Sequence, residues 1–393
     1  MAQNVLPSAP AQQAEPEEAK GSGAFWSNLY HILLRRREAS IFIVAIALVI
    51  YFQISNQNFL TSNNISTISQ YAAETAIISA GMVMLLICGE IDLSVGMIFA
   101  LAPFVMYFTN QSGVPLWVAL VFGVLSGGAA TYFTNQLRLS LWMASIIGLL
   151  VGAGITYCTF VGGLPLWLGL IIGLVVSAGV GLLNGLVTVH LKVPSFITTL
   201  GTLFLVNGFV LIFSGAFPAL TPQAGAFNQV LGNNPWSEII WAIAVVILVQ
   251  IVLSFTRWGL HTVATGGNLH GANETGVHVN RVKIGNFMIA SVLAGFAGIL
   301  EAFRITSMDP NQGGTEIMFM AVAGAVIGGT SLMGGLGTIV GAFLGVLVLS
   351  ILKDGFTLVG ISANTFIMIL GGAILIAMIL NVRLQLLREA GRQ

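Results

Sequence analysis

Charged side chains are scarce in this sequence. Its 393 residues include 14 lysines and arginines and 14 aspartates and glutamates, so that 7% of the residues are charged, against about 25% in a typical soluble domain. Hydrophobic residues make up 56%. The surface of a soluble protein needs a larger fraction of polar side chains than this sequence has. A disordered chain has a smaller fraction of apolar residues. The composition therefore predicts a polytopic membrane protein. Its zero net charge gives no basic field for nucleic acid.

The sequence patterns that mark many enzymes and metal sites are also missing. No G-x-x-x-x-G-K-[ST] occurs, which excludes ATP binding by a Walker A loop. H-E-x-x-H and G-x-S-x-G are absent too, and Cys88 and Cys158 are too far apart for a C-x-x-C site. We therefore expect no catalytic residues, no metal and no cofactor, and a membrane enzyme is the least favoured interpretation.

The apolar runs set the number of membrane spans. A hydrocarbon core of about 30 Å needs about 20 apolar residues in a helix. Some of the runs are short, and these are candidates for half-helices or re-entrant segments. The sequence therefore predicts an all-α, polytopic transmembrane helical bundle of about 10–12 spans with broken or short helices. The candidate spans are 40–54, 70–88, 92–109, 115–133, 140–160, 165–189, 195–213, 237–256, 285–304, 317–333, 336–352 and 360–380.

The positions of lysine and arginine predict how these spans are oriented in the membrane. With the N-terminus inside, twelve of the fourteen basic residues fall in inner segments, and the other two are Arg304 and Lys353. Both termini are then cytoplasmic. The sequence divides into a disordered cytoplasmic tail at 1–38, a transmembrane domain at 39–382 and a second cytoplasmic tail at 383–393.

Five charged residues lie inside or beside predicted spans, where a charge is costly and marks a candidate functional residue. Glu301 and Arg304 are three residues apart on one helix, so we expect them to pair. Glu74 would extend to the outer surface or bond to another helix. Glu90 and Asp92 lie in a polar break between two spans.

That break is G-E-I-D-L-S-V-G at Gly89–Gly96, and two interpretations of it stay open. In the first, Gly89 ends one helix and Asp92 caps the next. In the second, Glu90, Asp92 and Ser94 form a polar stretch near a transport path.

A second glycine-rich break, Ile327–Gly345, carries Thr330 and Ser331. Glycine-interrupted segments at corresponding places in two halves point to a substrate path. Close packing of small residues explains much of the same pattern, so this alternative also stays open.

Four stretches of the sequence occur together in one order and cover roughly residues 40–380. They resemble the membrane permease subunits of bacterial ABC importers for monosaccharides, the ribose, xylose and arabinose permease family. The stretches are G-E-I-D-L-S-V-G at Gly89–Gly96, V-P-S-F-I-T-T-L-G at Val193–Gly201 with Asn207–Gly208 after it, A-T-G-G-N at Ala264–Asn268 continuing through Glu274–Asn280, and A-V-I-G-G-T-S-L-M-G-G-L-G at Ala325–Gly337.

The resemblance implies a permease that translocates a pentose or similar neutral sugar across the bacterial inner (cytoplasmic) membrane, while a separate subunit hydrolyses ATP. It implies a homodimer, a cytoplasmic sugar-importer ATPase, a periplasmic or surface sugar-binding protein, and contact with membrane lipid. The candidates for the translocation path are Glu90, Asp92, Ser94, Asn207, Thr330 and Ser331.

The inner segment 257–284 is the candidate coupling loop to that ATPase. Leu269–Thr275 is predicted to form a short helix after a flexible Gly266–Gly267 pair, with Gly276 as its stop. Glu274 would contact the ATPase, and a solvated connector is the alternative. The coupling candidates are Gly266, Gly267, Asn268, Glu274, Gly276 and Val277.

The sequence departs from the family pattern in two places. Gly271-Ala272 and Thr275-Gly276-Val277 replace paired alanines and Ser-Gly-Ile, and the region 115–160 adds a helix pair relative to shorter ribose-type members. The added pair favours the longer xylose-type members but does not identify the sugar. The alternative function is a twelve-helix secondary sugar carrier. Such a carrier should have ionisable residues at mid-membrane, whereas the sequence predicts them at span ends.

Overall fold

The chain is described by a computed structural model that covers residues 37–111, 114–137, 139–223, 225–362, 364–373, 375, 376 and 379. The tails predicted at 1–38 and 383–393 lie outside these residues, except that Arg37 and Glu38 already belong to the first helix. The helices are α1 (Arg37–Ser55), α2 (Ser62–Ile87), α3 (Val95–Asn110), α4 (Leu116–Gln136), α5 (Leu141–Val161), α6 (Leu166–His190), α7 (Ser195–Ser214), α8 (Ser237–Phe255), α9 (Arg257–Gly267), α10 (Leu269–Glu274), α11 (Val279–Arg304), α12 (Gly314–Ile327), α13 (Ile339–Leu358) and α14 (Asn364–Ala373).

The predicted class is confirmed, because the described residues form a polytopic helical bundle. Eight of the described helices are long and apolar enough to cross a membrane, and four apolar helices are shorter. The shorter ones are α1, α3, α12 and α14. Each predicted span corresponds to one of these twelve helices.

Two predicted starts were wrong. The span predicted at 70–88 begins at Ser62, and the span predicted at 285–304 begins at Val279. The missed turns are rich in polar residues whose side chains find partners in the fold. The Asn64 side chain donates to Asp354 at 2.7 Å, and the Lys283 side chain pairs with Glu90 at 2.5 Å. Hydropathy alone stops a helix at such residues, whereas tertiary hydrogen bonds allow it to continue.

Helices α2, α3, α6 and α11 form the centre of the bundle, and small residues let their backbones approach closely. A methyl group on Gly81 of α2 would lie 2.7 Å from Cα of Ala290 in α11. One on Gly185 of α6 would lie 2.9 Å from Cα of Ile284. Van der Waals contact of this kind is the main source of helix association in lipid, where burial of apolar surface gives little.

The α4–α5 hairpin lies at the edge of the bundle. Its two helices interlock through glycines, since a methyl group on Gly127 would lie 2.7 Å from the carbonyl oxygen of Gly148. Large apolar side chains cover the rest of α5 and face outward, including Trp142 and Leu149 at 83% and 73% exposure. This is the surface expected of a helix in contact with lipid.

The bundle has two ends that differ in structure. The junction end carries 88–94, α9, α10 and the loop 328–338. The opposite end carries the segments 215–236 and 305–313, where strands Ala219–Leu220 and Ser307–Met308 form a two-stranded antiparallel sheet. The first of these segments also holds a short helical turn at Ala226–Asn228 and a π-helical turn at Gln229–Asn233.

The region predicted as a coupling loop is mostly helical. Within 257–284 the chain forms α9 and α10, and α11 has already begun at Val279. The predicted short helix is confirmed as Leu269–Glu274. The predicted flexibility of Gly266–Gly267 was wrong, because these residues form the last turn of α9 and Gly266 lies against two other chain segments.

Candidate functional site

Backbone atoms of three distant chain segments meet at the junction end. The Gly335 N–H donates to the carbonyl oxygen of Ile87 at 2.8 Å. A methyl group on Gly266 would overlap that oxygen and would lie 2.7 Å from the Gly335 nitrogen. One on Gly334 would lie 2.9 Å from the Gly266 carbonyl oxygen. We call this contact of Ile87, Gly266, Gly334 and Gly335 the glycine junction. It joins both glycine breaks to the end of α9.

The second break reaches the glycine junction through a tight loop. Gly334 and Gly335 have φ of +87° and +77°, a region that glycine adopts without steric cost. The Ser331 N–H donates to the carbonyl oxygen of Leu336 at 2.8 Å. Thr330 and Ser331 are 0% and 2% exposed, so these candidates for a translocation path lie inside the protein.

The first break is fixed by a buried polar cluster. Both Asp92 and Ser94 are fully buried. One Asp92 carboxylate oxygen accepts from the Ser94 N–H at 2.9 Å and from the Ser94 hydroxyl at 2.6 Å. The Asn184 amide of α6 donates to the Ser94 hydroxyl oxygen at 2.8 Å and lies 3.3 Å from the other carboxylate oxygen. Asp92 therefore bonds to Ser94 itself, which precedes α3, and ties the break to α6.

Two further contacts hold the same break. The Ile91 N–H donates to the Ser195 hydroxyl at the start of α7, at 3.3 Å. The Lys283 ammonium of α11 lies 2.5 Å from the Glu90 carboxylate. Glu90 is thus paired with a cation of the helix that follows the coupling segment, and the break touches α6, α7 and α11 together.

Asn286 is a residue of this site that the sequence did not mark. It is fully buried, and its amide nitrogen lies 3.2 Å from the Met84 carbonyl oxygen and 3.2 Å from the Thr262 hydroxyl. Its carbonyl oxygen accepts from the Trp258 indole N–H at 2.8 Å. Asn286 therefore holds α9 against α2 and α11. A single amide in an apolar helix was the available signal for Asn184, whereas Asn286 shares its helix with Asn280 and was not set apart in this way.

The segment after the glycine junction projects from the bundle. The Asn268 side chain accepts from the Gly271 N–H at 2.9 Å and caps α10. Gly276 has φ of +85°, and the Val277 N–H donates back to the Ala272 carbonyl oxygen at 3.0 Å. This closing turn requires a left-handed residue, which explains the glycine.

The Glu274 side chain is 70% exposed at the end of α10, and its one ion pair among the described residues is with His270 at 3.7 Å. It is therefore free to meet another protein.

Asn207 stands apart from the other candidates for a translocation path. It lies in the middle of α7 and makes no hydrogen bond to any of them. Its side-chain carbonyl oxygen is buried and has no hydrogen-bond partner within the described residues. The fold gathers the remaining candidates near the junction end and leaves Asn207 separate.

Charged residues at the opposite end form their own network. The predicted pairing of Glu301 with Arg304 is confirmed, and Glu238 of α8, which the sequence did not suggest, lies 3.4 Å from the Arg304 side chain. Glu74 lies in the middle of α2 beside a cavity of about 140 Å³. The expectation that ionisable residues lie at span ends was therefore wrong for Glu74, because α2 begins eight residues earlier than predicted.

The polar groups of the junction end mainly connect chain segments to one another. This end holds backbone amides, side-chain amides, the Asp92 carboxylate and the Lys283–Glu90 ion pair, which bond to neighbouring chain segments, while the His270–Glu274 pair lies exposed on α10. Within the part of the chain that the structure describes, no group of three or more His, Cys, Asp or Glu residues could hold a metal ion.

The chain is similar to known transport proteins. A family model described as the permease component of branched-chain amino acid transport systems matches residues 131–379. The xylose/arabinose import permease protein XylH of Sulfolobus acidocaldarius is 36% identical over 89% of this chain and 86% of the relative. The ribose import permease protein RbsC is 28% identical in Escherichia coli K12, over 90% and 95% of the two chains. It is 30% identical in Bacillus subtilis, over 85% and 89%. No solved structure gives a significant match.

Proposed function

The chain belongs to the family of permease components that this model describes, and from that membership we propose that it is the membrane subunit of an ABC importer for a pentose or similar monosaccharide. The relatives that match most of its length are named as permeases for xylose and arabinose and for ribose. ATP hydrolysis belongs to a separate subunit, in keeping with the missing Walker A loop.

The proposed orientation places the junction end at the cytoplasm. The ATPase docks on the 257–284 segment there, and a sugar-binding protein delivers the sugar to the opposite end. Two copies of the chain form the permease in the cytoplasmic membrane, with both termini in the cytoplasm. The charge distribution supports this orientation, since twelve of fourteen lysines and arginines fall on the inner side.

The glycine junction is the observation that carries the mechanism. When the ATPase moves α10, the end of α9 moves with it, because only Asn268 separates the two helices. Ile87 and Gly335 then move with α9, because no Cβ separates them from Gly266. Both breaks are then displaced together. Motion of packed elements against one another is an established way to switch a membrane path between two states.

The translocation candidates divide into two roles under this proposal. Asp92, Ser94, Thr330 and Ser331 are buried and set the shape of the breaks. Asn207 lies on α7 with a side-chain carbonyl oxygen that has no hydrogen-bond partner among the described residues, and would bond to the sugar directly. Neutral amide and hydroxyl groups suit a polyhydroxylated solute better than an ion.

Reconstituted transport tests the proposed function. The chain is placed in liposomes with a sugar-importer ATPase and a sugar-binding protein from the same organism, and uptake of radiolabelled xylose, arabinose and ribose is measured with and without ATP. We expect ATP-dependent uptake of at least one pentose that requires all three proteins. The chain alone should neither bind nor hydrolyse ATP. Uptake by the chain alone, driven by a proton or sodium gradient, would instead establish a secondary carrier.

A further inference from the structure

A cleft of about 580 Å³ opens at the junction end beside the coupling segment. One wall is the last turn of α4, with Tyr132 and Gln136, and another is the end of α6 at His190. The third wall is the turn from α10 into α11, with His278 and Arg281. We call this the basic cleft. It is separate from the glycine junction, and none of its residues belongs to the translocation candidates.

The lining of the basic cleft suits an anion. It combines the Arg281 guanidinium with two imidazoles, side-chain amides and a phenol, and no aspartate or glutamate lies among its lining residues. Arg281 forms no ion pair with any described residue. A guanidinium that is not committed to a carboxylate can bind two phosphate oxygens at once.

The position of the basic cleft indicates where the anion comes from. The neighbouring side chains Phe133 and Leu137 at the end of α4 are 60% and 61% exposed, and α5 beyond them is apolar and exposed over most of its length. A ligand in the cleft can therefore place a polar group on Arg281 and an apolar chain along α4. Basic pockets between transmembrane helices on the cytoplasmic side are known to hold acidic lipid headgroups.

We propose that the basic cleft binds a phosphate group, supplied by the headgroup of an acidic phospholipid in the leaflet at the junction end. The bound phosphate bridges α4 and α6 to the turn between α10 and α11. It would thereby fix the turn from which α10 projects. The binding itself does not depend on which solute is transported, and so it can be tested without any transport assay.

Native mass spectrometry of the full-length chain tests this proposal. The protein is released from mixed micelles of phosphatidylcholine and phosphatidylglycerol, and the apparent dissociation constant for phosphatidylglycerol is measured by titration. We expect Arg281→Gln to weaken binding about fivefold, the effect of one basic residue at a membrane surface. Arg281→Lys should retain most of the binding. Arg257→Gln is the matched control, because it removes a cation from the same end outside the cleft, and it should bind like the unmodified chain.

A second arm identifies the source of the phosphate. Inorganic phosphate is titrated into the chain in pure phosphatidylcholine. Arg281-dependent binding of phosphatidylglycerol without binding of inorganic phosphate supports a lipid headgroup. Arg281-dependent binding of inorganic phosphate alone supports the phosphate site but overturns its assignment to lipid. If Arg281→Gln and Arg257→Gln bind both ligands as the unmodified chain does, or if neither ligand binds, the proposal is wrong.

Discussion

The junction end and the opposite end of the bundle hold their polar groups by different means. At the junction end the decisive contacts run between backbone atoms, as where Gly335 donates to Ile87 and Gly266 lies against both. Neutral amides complete the arrangement, with Asn184 and Asn286 each joining separate helices. Ile87, Asn184 and Asn286 are fully buried and have little freedom to rearrange.

At the opposite end the contacts run between long charged side chains. Arg304 lies between Glu301 and Glu238, and Lys353 pairs with Glu316 at 3.0 Å. The last pair is partly exposed, with 28% and 47% of the two side chains accessible. Its members can follow a small helix shift by rotating about their own bonds.

The difference suggests how motion travels through the protein. A backbone contact without a side chain between its partners transmits a displacement, whereas a solvated ion pair absorbs it and contributes only about 0–1 kcal/mol. Uptake should therefore be sensitive to small changes at the junction end and tolerant of changes to the exposed Lys353–Glu316 pair at the opposite end.

The largest effect is expected at Glu274, where the junction end would receive its motion. Glu274→Arg reverses an exposed charge, and a like-charge contact at a docking surface costs several kcal/mol. We expect uptake to fall about 100-fold and co-purification of the ATPase to weaken in step. The thermal midpoint of the permease should not change, because Glu274 contacts little of its own chain. Full uptake with full ATPase retention would mean that α10 is not the coupling element.

Adding one methyl group should reduce uptake at one of two neighbouring glycines and not at the other. At Gly266 it would overlap the Ile87 carbonyl oxygen, whereas at Gly267 nothing lies within 4 Å of it. Overpacking of about 1–2 kcal/mol at Gly266 corresponds to a loss of about 5- to 30-fold in coupled uptake. We expect that loss for Gly266→Ala and near-normal uptake for Gly267→Ala. Equal uptake by the two variants, at equal membrane expression, would remove the glycine junction from the mechanism.

The Asp92 cluster should behave as one unit. Asp92→Ala leaves the Ser94 N–H and the Ser94 hydroxyl without their acceptor and removes the longer contact of the Asn184 amide, at a cost of about 1–3 kcal/mol in the free energy of unfolding. Uptake should fall severalfold in addition. The measurements are thermal unfolding in detergent and uptake, applied to Asp92→Ala, Asn184→Ala and the double variant. We expect a coupling energy of about 0.5–3 kcal/mol between the two sites. Normal uptake with lowered stability would limit Asp92 to a structural role.

The smallest effect is expected for Glu316→Gln at the opposite end. This change removes the charge from a partly exposed ion pair and leaves an amide that can still accept from Lys353, so its cost should not exceed about 1 kcal/mol. Uptake should stay within about twofold of the unmodified protein. A loss as large as that of Gly266→Ala would show that the opposite end is as rigid as the junction end, and the contrast between them would fail.

The sequence did not predict α9 as a helix. The twelve apolar helices were predictable because each contains a run of apolar residues, and α10 was predictable from the stop signal at Gly276. The starts of α2 and α11 were not, because their polar first turns are satisfied by residues far away in the chain. Asn64, for example, bonds to Asp354.

The segments that form the site were predicted from the sequence, but the contacts between them were not. The sequence marked both breaks and the coupling segment, yet nothing in it places Ile87 against Gly335, about 250 residues later. Asn184 and Asn286 were not predicted because an asparagine in a transmembrane helix is not by itself a functional signal. Only the fold reveals that these two amides meet the first break and α9.

The glycine junction also limits which parts of this protein are interchangeable. Suppose that the segment 257–278 were exchanged for its counterpart from a ribose permease, in order to change the ATPase that the chain accepts. The surface facing the ATPase would be new, but the end of α9 must still fit between Ile87 and Gly335. Chimeras of this kind should therefore work when 85–96 and 326–341 are exchanged along with it. The proposed docking segment and the two breaks form one module, although they lie far apart in the gene.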